Sequence, residues 1–212
     1  MKAIERTRYK ALKLVEAGQH SEAVSVLAEL AKSSEHSGDY AWRAQSLVAI
    51  GRYREALADC ETAMQADATD PSSFVTAAFV HAAAPDDDLR DGTRALQLLS
   101  HASKLIGLHL NWRILTVFAA AHAECGEFKK AEQFLNDAIS KAPPEMTSRL
   151  SERIVQYRNG VAFRATLESN IGSLEIREHA CVLCGQPAFM KWPPQGGNRK
   201  PRCVDCCSHD TS

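Results

Sequence analysis

Aromatic residues are scarce, at 7% of the 212-residue chain, and long hydrophobic runs are missing. The longest apolar stretch, around Ile114 to Ala123, is interrupted by His122 and is too short to cross a bilayer, so no membrane span is expected. Net charge is nearly absent: 25 Lys and Arg against 26 Asp and Glu leave a formal charge of −1, which removes polybasic or polyacidic behaviour as a whole-chain property. Residues 1–14 are locally lopsided, with Lys2, Arg6, Arg8, Lys10 and Lys13 against Glu5. The opening MKAIERTRYK lacks the apolar segment that a secretory signal carries after its basic residues, so the cytoplasm is the expected compartment. Absent too are a phosphate-cradling glycine loop, a Gly-x-Ser-x-Gly elbow and a His-Glu-x-x-His pair, and the chain is read as a non-enzyme. What remains, 45% hydrophobic and 24% charged residues, suits a globular protein with chain enough to bury a core.

The seven cysteines are unevenly spread. Cys60 and Cys125 stand alone, whereas Cys181, Cys184, Cys203, Cys206 and Cys207 crowd the C-terminal end. In a reducing compartment such a cluster points to metal rather than to disulfides. Between residues 41 and 142 alanine dominates, as expected where helices approach closely.

An internal repeat organises this region. Gly18-Gln-His-Ser-Glu-Ala23, Gly51-Arg-Tyr-Arg-Glu-Ala56 and Gly126-Glu-Phe-Lys-Lys-Ala131 share one hexapeptide pattern, and a degenerate copy runs from Ala95 to Ala102. A compact residue recurs seven positions after each alanine, at Leu30, Ala63, Ala102 and Ala138. Another small residue precedes it, at Ala11, Ala44, Ala78 and Ala119. Each copy reads as two amphipathic helices joined by a glycine turn, with the small residues facing each other and Leu27, Cys60, Leu99 and Leu135 filling the space beside them. One such pair cannot bury its own apolar stripe, but a stack of pairs can.

These residues resemble the tetratricopeptide repeat family, whose unit is about 34 residues, over residues 4–143. The second-helix alanines lie 33, 39 and 36 residues apart, and the irregularity maps to an insertion in the third copy, Ala84-Pro-Asp-Asp-Asp-Leu-Arg-Asp-Gly92, read as a surface loop leading to a new helix N-terminus. Pro71 and Pro143 sit at unit boundaries. Residues 144–160 read as a capping helix ending at Gly160, and 161–179 as a linker.

The resemblance implies a binding scaffold that presents a concave groove to a protein or peptide. The family's groove positions fall on Arg8, Leu12, Val15 and Glu16 in copy one and on Ala41, Gln45 and Val48 in copy two. In copy three they are Val75, Phe79 and Ala82, and in copy four Thr116, Ala120 and Ala123. The groove is mostly apolar, and Leu12 and Trp42 stand where the chaperone-binding members place asparagines, so no carboxylate clamp is expected. Such a groove either receives a hydrophobic partner segment or is filled from within by residues 160–180. Arg8 and its basic neighbours either steer an acidic partner or form a solvated face.

The tail, residues 180–208, carries the most specific motif. Cys181-x2-Cys184, eighteen intervening residues and Cys203-x2-Cys206 match a four-thiolate Zn2+ site. Two residues between thiolates let one tight turn wrap the metal, and two such turns close a tetrahedron. With Gly185 after the first pair, this looks like a small, β-rich zinc ribbon or a related two-knuckle finger. A closed site of four cysteines is structural, holding together a module too small to fold without metal. Cys207 could replace Cys206, and His179 and His209 are read as bystanders or hydrogen-bonding neighbours. Two other uses stay open: nucleic-acid binding through Lys191, Arg199, Lys200 and Arg202 around Trp192, and redox sensing by the paired cysteines. The expected fold is therefore an all-α solenoid of about four helical hairpins with a capping helix, followed by the zinc module, and the expected function is that of an adaptor.

Overall fold

The computed structural model describes residues 2–33, 36–107 and 110–166. Among these residues the chain is all α, in consecutive antiparallel hairpins: α1 (Lys2–Glu16) with α2 (His20–Ser33), α3 (Ser37–Ala49) with α4 (Tyr53–Ala66), α5 (Pro71–Ala83) with α6 (Gly92–Ile106), and α7 (Trp112–Glu124) with α8 (Phe128–Lys141). A ninth helix, α9 (Pro144–Arg158), packs on α8. The expected zinc module and residues 167–179 of the expected linker lie outside the described residues.

The repeat's small residues are the hairpin contacts. Ala11 and Ala23, Ala44 and Ala56, Ala78 and Ala95, and Ala119 and Ala131 are each completely buried, as are Leu27, Cys60, Leu99 and Leu135 beside them. Methyl groups at these positions let the helix axes approach, and the larger neighbours fill the flanking space.

The stack has two cores of unequal size. Ala11, Ala23, Leu27 and Leu30 form a small one under the first hairpin, rimmed by Ile4, Leu14, Val15, Val26 and Trp42. Nearly all other buried apolar residues, from Val24 to Ala165, belong to one continuous cluster.

Local chemistry sets the helix ends. Asp70 caps α5, accepting from the Ser72 amide at 3.0 Å, with Pro71 in the first turn. Asn111 caps α7 through the Ile114 amide at 3.0 Å. At the glycine turns, Gly18, Gly51 and Gly126 take φ of 73°, 80° and 77°, and the next amide reaches back to Leu14, Leu47 and His122 respectively at 2.8 Å. This is a Schellman closure, which needs a residue free of Cβ strain in the left-handed region.

Copy three replaces that turn with its insertion. Residues Asp87–Leu89 form a short 3-10 turn, the Asp91 amide donates to the His81 carbonyl at 2.9 Å, and Asp91 then caps α6 through the Arg94 amide at 2.8 Å. Gly92 begins α6 directly against the end of α7. A Cβ there would lie 2.6 Å from Cys125 Sγ, 3.0 Å from the Cys125 amide nitrogen and 3.1 Å from the Ala121 carbonyl oxygen. Gly92→Ala is therefore expected to cost about 1–3 kcal/mol by overpacking. In urea unfolding, adding Cys125→Ala should restore only part of the loss, because two of the three clashes are with backbone.

After α9 the chain makes the same closure once more: Gly160 has φ 69° and the Val161 amide donates to the Gln156 carbonyl at 2.9 Å. Gly160-Val-Ala-Phe-Arg-Ala165 also repeats the glycine-to-alanine spacing of the other turns. Thus α9 and its turn are the first half of a fifth repeat. The second helix does not follow. Residues 161–166 carry no helix or strand, and Phe163 and Ala165 are buried in the large core.

Candidate protein-binding face

The positions expected to line the groove all lie on first helices, and the structure places them unequally. On α1, Arg8, Val15 and Glu16 are half-buried and Leu12 is buried. On α3, Gln45 is half-buried, whereas Ala41 and Val48 are buried. Further along, Val75, Phe79 and Ala82 on α5 and Thr116, Ala120 and Ala123 on α7 are all buried, from 0% to 5% exposed. Accessible surface at these positions is thus confined to the first two hairpins.

Arg8 is already engaged. Its Nε lies 2.8 Å and 3.1 Å from the two carboxylate oxygens of Asp39, and Nη2 lies 2.8 Å from Oδ2. Asp39, in the first turn of α3, has a completely buried side chain. The Asp39 hydrogen bonds push the Arg8 guanidinium above its usual range, against the opposing effect of burial. Arg43 and Asp59 repeat the arrangement between α3 and α4 at 2.5 Å and 2.6 Å. Sequence reasoning missed both pairs: Arg8 and Asp39 are 31 residues apart, and no local pattern marks them.

At the other end, residues 161–166 cross the C-terminal ends of α7 and α5. The Ala165 amide donates to the Ala83 carbonyl at 2.8 Å. Arg164 pairs with Glu124 at 2.7 Å, and Glu124 is held on its other oxygen by Arg90 Nε at 3.0 Å. Arg90 comes from the copy-three insertion, where its Nη1 also donates to the Ala84 carbonyl at 3.0 Å and its Nη2 pairs with Asp87. The insertion therefore orients the acid that receives Arg164. The guanidinium carbon of Arg153 stands 3.7 Å from the centre of the Phe163 ring. The missed signal was the fifth glycine-to-alanine spacing, which would have drawn residues 160–165 into the repeat.

Beside this contact Tyr157 is 1% exposed, and its hydroxyl has no hydrogen-bond partner. Burial raises this phenol from 10.0 to about 12, partly offset by Arg153 and Arg164. Tyr157→Phe should be neutral or stabilising by about 1 kcal/mol at neutral pH, since it removes an unpaired polar group. Between about pH 10 and pH 12 the unfolded phenol ionises while the folded one does not, so stability falls as pH rises through this window. Paired urea titrations at neutral and alkaline pH should show Tyr157→Phe losing less stability than the parent.

Burial pushes both described thiols, Cys60 and Cys125, above the usual cysteine range, the opposite of activation. Among the described residues no group of three His, Cys, Asp or Glu side chains could hold a metal, and no helix is long and apolar enough to cross a membrane. His122 stacks on Phe134 at 5.1 Å and sets Nδ1 2.6 Å from Glu127. His81 Nδ1 lies 2.8 Å from the Leu89 carbonyl, so both histidines serve the packing of helix ends. An open cleft of about 420 Å3 between α4, α5 and α6 is lined by Glu61, Met64, Phe74, Arg94 and His101 among others. The four proposed zinc ligands, Cys181, Cys184, Cys203 and Cys206, lie outside the described residues.

Hairpins of this length, stacked through small residues with glycine turns, define a tetratricopeptide-like helical repeat fold. Solved structures share it. TTC0263, a thermophilic TPR protein of Thermus thermophilus, superposes with a TM-score of 0.59 at 18% identity, covering 73% of this chain and 85% of that one. A MamA point mutant gives 0.53 at 13% identity over 82% of this chain and 98% of its own. The MamA RS-1 ArsTM double mutant gives 0.52 at 13% identity over 81% and 94%. No protein-family profile and no curated protein matches the chain.

Proposed function

We propose that the chain is a protein-interaction adaptor: its first helices receive a segment of a partner protein, and a Zn2+-bound module at residues 180–208 supplies a second contact. The observation that carries this reading is the row of first helices whose half-buried positions, Val15 and Gln45, remain accessible in the first two hairpins. Hydrophobic and amide groups there suit a partner segment that is itself largely apolar. Cytoplasmic residence and a non-enzymatic role belong to the same reading.

A photo-reactive amino acid at Gln45 should cross-link one discrete protein, and the same group at Glu61 on α4 should not. With that protein purified, Val15→Glu/Gln45→Glu should weaken binding at least tenfold. Equal cross-linking from both faces, or undiminished affinity of the double variant, would remove the groove from the account.

The zinc module has its own test. Elemental analysis of reduced, untagged protein should find one zinc per chain, and Cys181→Ser or Cys203→Ser should lose it. A metal-free chain whose thiols pair reversibly would favour redox sensing instead.

A further inference from the structure

The C-terminal ends of α5, α7 and α9 present three complementary groups. The Ala83 carbonyl is one of the last-turn acceptors of α5 that no helical amide can reach. Glu124, at the end of α7, is held by Arg90 on one oxygen and sets its other, buried oxygen against the guanidinium of Arg164. The large core, bounded by the Arg153 guanidinium, accepts an aromatic ring. Residues 163–165 fill all three in order, Phe163 under Arg153, Arg164 on Glu124 and the Ala165 amide on Ala83.

Two features set this segment apart from a repeat helix. It carries no helical backbone, although the turn before it matches those that precede α2, α4 and α8. And Arg153 lies 34 residues after Ala119, where the other first helices place the alanine that admits a second helix. A guanidinium there blocks helix-on-helix approach but offers a flat face to a ring.

We infer that this surface is a binding site for an unstructured peptide segment with an aromatic residue, an arginine and a small residue in succession, held in cis by residues 161–166 and open to exchange with such a segment of a partner protein. This rests on the adaptor reading and names a second docking site for it. Recognition combines one backbone hydrogen bond, one ion pair and one ring contact, a set that a segment in trans can reproduce in full.

The test uses the full chain and a labelled, capped peptide, Gly-Val-Ala-Phe-Arg-Ala-Thr-Leu, corresponding to residues 160–167. Fluorescence anisotropy should show binding at least tenfold tighter to the Phe163→Ala/Arg164→Ala chain, whose ring and ion-pair positions are vacated, than to the parent. Adding Glu124→Gln to the vacated chain should weaken binding at least fivefold, and replacing the peptide's phenylalanine by alanine should weaken it at least tenfold. A vacated chain that keeps its helical circular dichroism but does not bind, or that binds every peptide alike, overturns the proposal.

Amide exchange in the parent chain keeps it testable should the vacated variant unfold. Ala165 exchanging at least a hundredfold faster than the amides of α5 and α7 would show the segment leaving an intact array. Exchange in step with those helices would make the segment a fixed part of the fold and end the proposal. Failure of cross-linking at Gln45 would count against the adaptor reading and leave these peptide results unaffected.

Discussion

Leu99→Ala is expected to destabilise the array by about 2–5 kcal/mol, the range for truncating a buried leucine where the surroundings cannot collapse. Leu99 is completely buried in α6, within the continuous core that runs through the later helices to Ala165. Its loss leaves a cavity bounded by neighbouring repeats, and in a stack each repeat stabilises the next. Urea unfolding followed by far-ultraviolet circular dichroism should therefore show the transition of the later helices moved to lower denaturant. Leu27→Ala removes the same side chain at the equivalent place in α2, where it is equally buried. The outcome should differ, because Leu27 belongs to the small core of the first hairpin. There the loss falls on local opening, and protection from amide exchange should drop in α1 and α2 while α5 to α8 change little.

Arg8→Ala is the second large effect. Truncation leaves the Asp39 carboxylate completely buried without its bidentate partner, and breaking a buried pair from one side costs about 3–5 kcal/mol. The lower end is expected, since the Arg8 side chain is 23% exposed and water can enter where it stood. Asp39→Ala should cost less, because the freed guanidinium can turn outward. Arg8→Met with Asp39→Leu should recover most of the loss, since neither side then leaves a buried charge. Thermal unfolding of the parent, Arg8→Ala, Asp39→Ala and the Arg8→Ala/Asp39→Ala chain completes the cycle, and coupling near zero would show that the pair contributes nothing to joining α1 to α3. A role in steering an acidic partner would be compromised by the same substitution, so binding by Arg8 variants must be read beside their stability.

Much of this architecture is legible in the sequence because the repeat is written in residue size. An alanine twelve positions before another, with a glycine turn between them, describes two helices in close contact, and in the structure these alanines are buried in three hairpins, as are Ala78 and Ala95, seventeen apart, in the hairpin with the insertion. Pro71, Pro143 and the copy-three insertion also fall where their backbone chemistry puts them, at helix starts and in a loop. The ion pairs that join one repeat to another are harder to see. Arg8 with Asp39, and Arg90 with Glu124 and Arg164, join residues from different repeats, and nothing in their local sequence distinguishes them from surface charges.

Residues 160–165 show another kind of difficulty. They keep the repeat's glycine and alanine, but the positions that follow replace Leu135 and Ala138 with Ser169 and Gly172, so the helical periodicity stops. Reading Val161 onward as a linker follows the lost periodicity. The retained spacing preserves the turn, and with it the direction in which the chain leaves α9.

These features describe an array with unequal ends. The first hairpin has a core of its own and shares the accessible first-helix positions with the second, while the later hairpins share one core that Phe163 and Ala165 help to close. Trp42 borders the small core and Trp112 lies in the large one, so tryptophan reports on both at once. The decisive measurement is urea unfolding of the 5-fluorotryptophan-labelled Trp192→Phe chain, which leaves Trp42 and Trp112, followed by fluorine NMR. The resonance of Trp42 should lose its native position at lower urea than that of Trp112, with the first hairpin opening while the rest of the stack stays folded. Coincident loss of the two resonances would contradict the division and make the array a single cooperative unit with no separately yielding end.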